Sequence, residues 1–77
     1  MKKFEILGTG CPKCNMLQNL TEQAAKELGL QYELKKVTDI KQIMNYGVMI
    51  TPALVVDGQV KVAGKVQTLD EIKKLIQ

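Results

Sequence analysis

The sequence predicts one α/β domain, residues 1–77, built in the order β-α-β-α-β-β-α. Three observations lead there. Short apolar runs of strand period alternate with segments whose apolar residues recur at helical spacing. Asp57-Gly58 separates two strand-like runs in the manner of a two-residue hairpin turn. Thr68-Leu69-Asp70-Glu71 is a capping box, the signature of a helix start.

Each element follows from its own residues. Residues 3–7 form the first strand, with Phe4 and Ile6 on one face and Glu5 and Leu7 on the other. Gly8-Thr9-Gly10 turns the chain. A helix runs from about Cys11 to Leu28, carried by Leu17, Leu20, Ala24 and Leu28, and Gly29 suits its C′ position. Pro12 fits the first turn, where its missing N–H costs nothing. A second strand occupies residues 31–37. Thr38 is the expected cap of a short helix from Asp39 to Tyr46, which Gly47 stops. Ala53-Leu54-Val55-Val56 is apolar on both faces and reads as a central strand. Gln59 to Ala63 pairs back on it. Leu69, Ile72, Leu75 and Ile76 then give the last helix one apolar face. A helix between the first two strands implies a right-handed parallel crossover.

Composition narrows the function. The chain has 77 residues, 45% of them apolar and 4% aromatic, which suits a small aliphatic core. Its charges are interspersed, so disorder is not expected. The net charge of +3 comes from lysines spread over every segment, with no basic stripe to suggest nucleic-acid binding. Glu5 interrupts the signal-like start Met1-Lys2-Lys3-Phe4, and no run reaches the roughly 18 apolar residues of a membrane span. The expected compartment is the cytoplasm. Two cysteines are too few for a stapled secreted scaffold.

The two cysteines lie in Cys11-Pro12-Lys13-Cys14, between the first strand and the first helix. There the unsatisfied backbone N–H groups and the helix dipole favour negative charge, hence the reactive thiolate at Cys11. The spacing also brings both sulfurs to one side of the helix, within bonding reach. Inert structural thiols fit such a turn poorly. Lys13 adds positive charge nearby or is simply solvated.

That element order, with Cys11-Pro12-Lys13-Cys14 after the first strand and Thr51-Pro52 before the third, resembles the thioredoxin superfamily. The whole chain is similar to the small thioredoxin-like redox-active disulfide proteins of bacteria and archaea, in Gly8-Thr9-Gly10-Cys11, Tyr46-Gly47-Val48 and Thr51-Pro52-Ala53-Leu54-Val55-Val56-Asp57-Gly58. The resemblance implies a four-stranded mixed sheet of order 2-1-3-4 flanked by three helices. It implies an exposed attacking Cys11, a buried resolving Cys14, and a redox-active Cys11–Cys14 disulfide in place of any bound cofactor. It implies a cis Thr51-Pro52 bond facing the cysteines, with backbone there for an extended substrate. Glu5, six residues before Cys11, has the spacing of the buried acid that relays a proton in thioredoxins. The alternative for Glu5 is a polar residue on a thinly covered sheet face.

The expected activity is thiol–disulfide exchange with protein or small-molecule disulfides, by a monomer supplied with electrons from a reductase or thiol donor. The alternative is a soft-metal carrier for Cu(I)-type ions through the two thiolates. Thr9 stands where heavy-metal-associated domains carry methionine, and a final helix stands where that fold ends on a strand. With no histidine, one chain cannot complete a typical zinc set, so no metal site is assigned.

Overall fold

The computed structural model describes residues 1–9 and 12–77. Cys11, the expected attacking thiol, and Gly10 lie outside the described residues. The elements are β1 (Lys2–Leu7), α1 (Pro12–Glu27), β2 (Tyr32–Val37), α2 (Ile40–Asn45), β3 (Ala53–Val56), β4 (Gln59–Ala63) and α3 (Leu69–Ile76). They form a four-stranded mixed sheet of order β2-β1-β3-β4. β1 runs parallel to β2 and antiparallel to β3, and β3 pairs antiparallel with β4. The fold is the one expected from the resemblance.

Strand parity divides the core into two layers. Phe4 and Ile6 of β1, with Leu54 and Val56 of β3, face Leu17, Ala24 and Ala25 of α1 and Ile72 and Ile76 of α3. Leu7, Ala53 and Val55 point the other way, onto Val37, Ile43 and Val48. All four residues of β3 are buried, as a strand covered on both faces requires.

The element ends show why the chain turns where it does. Gly29 has φ +70, its N–H reaches Lys26 O at 3.1 Å, and Leu30 N–H reaches Ala25 O at 2.9 Å. Those two bonds make the closing Schellman motif of α1. α2 departs from expectation at its start. Asp39, not Thr38, is the N-cap, its Oδ1 accepting from Lys41 N–H at 2.8 Å. Both residue types cap well, and the first hydrogen-bonded turn decides between them: Ile43 N–H reaches Asp39 O at 3.0 Å. The hairpin turn has φ 49 at Asp57 and φ 86 at Gly58, a pair of left-handed residues that matches the twist of the strands it joins. Asp57 also ties the turn to β1, its Oδ1 accepting from Lys3 N–H at 2.9 Å. The strands shift register between Leu54 and Val55, so Lys61 bulges out of the β3–β4 ladder. The capping box at α3 is complete: Glu71 N–H donates to Thr68 Oγ1 at 3.2 Å and Thr68 N–H donates to Glu71 Oε1 at 3.1 Å.

These packing roles predict a ranking of variants. Ile72 is fully buried between α3 and the sheet, so Ile72→Ala should cost about 2–5 kcal/mol. Thr68→Ala removes only the cap and should cost about 1 kcal/mol. Urea unfolding midpoints check the order, and equal losses would contradict the packing described.

Candidate functional site

The site forms where β1 ends and α1 begins. Pro12 is the first residue of α1 and Cys14 the third, so the helical phase turns Cys14 inward while Pro12 and Lys13 stay exposed. Cys14 is 4% exposed. Gly8, just past β1, is buried and held by its N–H to Val37 O at 3.0 Å. Cys14 rests directly on Gly8. A methyl group there would overlap the Cys14 sulfur and come within 3.4 Å of Cys14 Cβ. The same point lies 3.8 Å from Thr51 Cβ, so Thr51 and Cys14 both border the space over Gly8.

Thr51-Pro52 is a cis peptide bond. Pro52 is buried, and its carbonyl accepts from Gly64 N–H at 2.9 Å, which carries the β3–β4 pairing up to the site. Gly64 has φ +87, and a side chain on it would press to 2.9 Å from Ile50 Cγ2. This glycine therefore serves both a turn and a close approach beside the Thr51-Pro52 segment.

An apolar trough adjoins Thr51. Thr9, Ile40, Ile43, Met44, Val48, Met49 and Thr51 line an open cavity of about 330 Å³. Met49 is 96% exposed, and Ile40, Met44 and Ile50 are each more than half exposed. Exposed apolar side chains gathered beside Thr51 offer a surface for apolar groups of another molecule. The sequence reading missed this trough, although the spacing of Ile40 and Met44 on one outward face of α2 was a signal for it.

Glu5 belongs to a different neighbourhood. It is half-buried, and its Oε2 accepts a hydrogen bond from Tyr46 Oη. Glu5, Lys35, Gln42, Asn45 and Tyr46 line a cavity of about 440 Å³ on the α2 side of the sheet. Cys14 lines a separate cavity with Ile6, Gly8, Asn15, Lys36 and Thr38. The structure brings Glu5 to Tyr46, and it brings Lys36 to the neighbourhood of Cys14. The sequence reading assigned Lys36 no role. Its signal was parity: Tyr32, Leu34 and Lys36 alternate onto the face that α1 covers.

The hydrogen bond to Glu5 raises the Tyr46 phenol above its ordinary value of 10.0, with smaller contributions from burial and from the Glu5 charge. Among the described residues, no group of three or more histidine, cysteine, aspartate or glutamate side chains is placed to hold a metal ion.

Comparison with known proteins matches the chain to a family. The thioredoxin domain family matches residues 2–77. A thioredoxin of Methanothermobacter thermautotrophicus is 42% identical over 76 residues, covering 99% of each chain. A thioredoxin of Methanocaldococcus jannaschii is 39% identical over 74 residues, covering 96% of this chain and 85% of the relative. The solution structure of reduced MJ0307 superposes with a TM-score of 0.60 at 27% identity, covering 95% of this chain and 94% of that one.

Two outcomes are expected. Gly8→Ala forces Cys14 from its seat and should cost about 1–3 kcal/mol, read as a lowered urea midpoint together with a changed Cys14 alkylation rate. An unchanged midpoint and rate would show that the seat is slack. For Tyr46, a folded value raised above the unfolded one means the bond stabilises fully below about pH 10 and loses its effect as pH rises through the folded value. Stability measured from neutral to strongly alkaline pH should fall less in Tyr46→Phe than in the parent; parallel curves would remove the bond from the account.

Proposed function

The chain belongs to the thioredoxin domain family and is a thiol–disulfide oxidoreductase, and from that premise we propose that it works through the Cys11–Cys14 pair on disulfides carried by polypeptides. Cys11 attacks a substrate disulfide and forms a mixed disulfide with one substrate sulfur. Cys14 then attacks the Cys11 sulfur, closing the Cys11–Cys14 disulfide and releasing the reduced substrate. A thiol reductant restores the dithiol.

The observation that carries this reading is the seat of Cys14, buried on Gly8 in the first turn of α1 and next to Thr51. A buried second thiol is screened from outside reagents and is left with Cys11, three residues away, as its nearest reaction partner in the chain. Thr51 and Pro52 offer backbone to an extended substrate segment. The trough of Ile40, Met44 and Met49 favours a polypeptide over a small polar disulfide, because apolar side chains flanking the substrate cysteine gain by burial there. Glu5 supports the site by holding Tyr46, the C-cap of α2, and with it the segment leading to Thr51. Pro12 starts the helix, and Lys13 places a positive charge beside the motif. No helix among the described residues is long and apolar enough to cross a membrane, and a reducing cytoplasm is the compartment that suits a recycling dithiol.

The test is a trap. Cys14→Ser should leave Cys11 joined to substrate, so that cell extract yields a protein held by a disulfide that reductant releases. The potential of the parent chain's Cys11–Cys14 couple in glutathione buffer should fall between about −270 and −200 mV. Failure of the parent to cycle between dithiol and disulfide would overturn the reading.

A further inference from the structure

The reaction proposed above needs Cys14 to lose a proton at the moment it attacks, yet Cys14 is buried. Burial alone disfavours the thiolate. What surrounds Cys14 therefore matters. Its cavity is small, about 20 Å³, with room for one water at most. Ile6 and Gly8 of the β1 side, Asn15 of α1, and Lys36 and Thr38 of the β2 side complete the lining. Among the described residues of that lining, Lys36 is the one charged side chain.

Lys36 is aimed at this place by two constraints. It is the register partner of Ile6, and strand parity sets it on the face that α1 covers. Its Nζ donates to Asn15 Oδ1 at 3.4 Å, and Asn15 follows Cys14 directly in α1. The ammonium is thereby drawn over the first turn of the helix. Lys35, the next residue toward the chain start, points the other way and lines the cavity of Glu5 and Tyr46.

We propose that Lys36 supports the Cys14 thiolate from across this small cavity, with Asn15 as the positioning residue that holds the ammonium there. The proposal rests on the reading of Cys14 as the resolving thiol. A cation near a sulfur favours the charged form, and because Lys36 is exposed, solvent screening holds the effect to a fraction of a pH unit. The step balances without any outside oxidant. Cys14 gives its proton to solvent, and its electron pair forms the bond to Cys11. The bond between Cys11 and the substrate sulfur breaks, and that sulfur leaves with the pair and takes a proton from solvent.

Among the described residues, the groups that line the cavity of Cys14 or close over Gly8 beside it are few. Ile6, Gly8 and Thr51 carry no ionisable side chain in the relevant range, and Asn15 and Thr38 are neutral. Lys13, one residue before Cys14, is exposed and is common to every variant compared.

The experiment titrates Cys14 alone. In a Cys11→Ser background, ultraviolet thiolate absorbance is followed against pH and read against the variant lacking both cysteines, which carries the same tyrosines. Lys36→Gln should raise the midpoint by about half a pH unit, a roughly threefold smaller thiolate fraction at a fixed pH below it. Lys36→Arg should hold the parent midpoint, and Lys35→Gln, the same charge deletion on the opposite face, should leave it in place. Asn15→Ala should raise it by less than Lys36→Gln does. An unmoved midpoint in Lys36→Gln, or an equal rise in Lys35→Gln or Lys36→Arg, would overturn the proposal. Lys36 is exposed, so the substitutions leave the core intact. The titration involves no disulfide exchange, so a chain that failed to exchange would still report on Lys36.

Discussion

The contact between Gly8 and Cys14 is the constraint on which the rest of the site depends. A helix that starts immediately after a central strand must bring its first turn down onto the strand end. Protein interiors pack without slack, so the sulfur of Cys14 and a side chain at position 8 cannot occupy the same space. Glycine resolves the conflict, and it does so with ordinary backbone geometry, by leaving room. The strand end is meanwhile pinned by the bond from Gly8 to Val37. Once the sulfur sits there, the segment before β3 closes over the same spot, and Thr51 becomes its neighbour.

The two faces of the sheet divide the work by parity. On one face Ile6 and Lys36 look toward α1 and Cys14. On the other Glu5 and Lys35 look toward α2 and Tyr46. A one-residue difference in position thus separates two lysines and two environments. The face under α1 holds the cavity that Cys14 lines. The face under α2 holds the short helix whose exposed Ile40 and Met44 extend the site outward as an apolar trough. Tyr46 links that helix back to β1 through Glu5. The short α2 has little area to bury, so a side-chain bond at its end matters more than it would in a long helix.

Much of this was legible in the residues. The order of elements, the double burial of β3, the Asp57-Gly58 turn and the capping box at Thr68 are local features, written in spacing and turn chemistry. They needed no knowledge of neighbours. The start of α2 was misread by one residue because Thr38 and Asp39 are both good caps, and only the hydrogen bonds of the first turn choose between them. The placement of Cys11-Pro12-Lys13-Cys14 between a strand and a helix is equally local, and by itself it points to thiol chemistry.

The tertiary structure decided what touches Cys14. Gly8 read as a turn glycine, but its need for an absent side chain comes from a sulfur six residues on, after the chain has reversed into a helix. Lys36 read as one lysine among eleven, and its place beside Cys14 comes from pairing with Ile6 across a parallel crossover. Glu5 carried the spacing of an acid near the cysteines, and the bond it makes is to a tyrosine 41 residues away. Sequence by itself determined which elements form, because helices, strands and turns answer to near neighbours. It left open which side chains meet, because that depends on register and packing between segments distant along the chain.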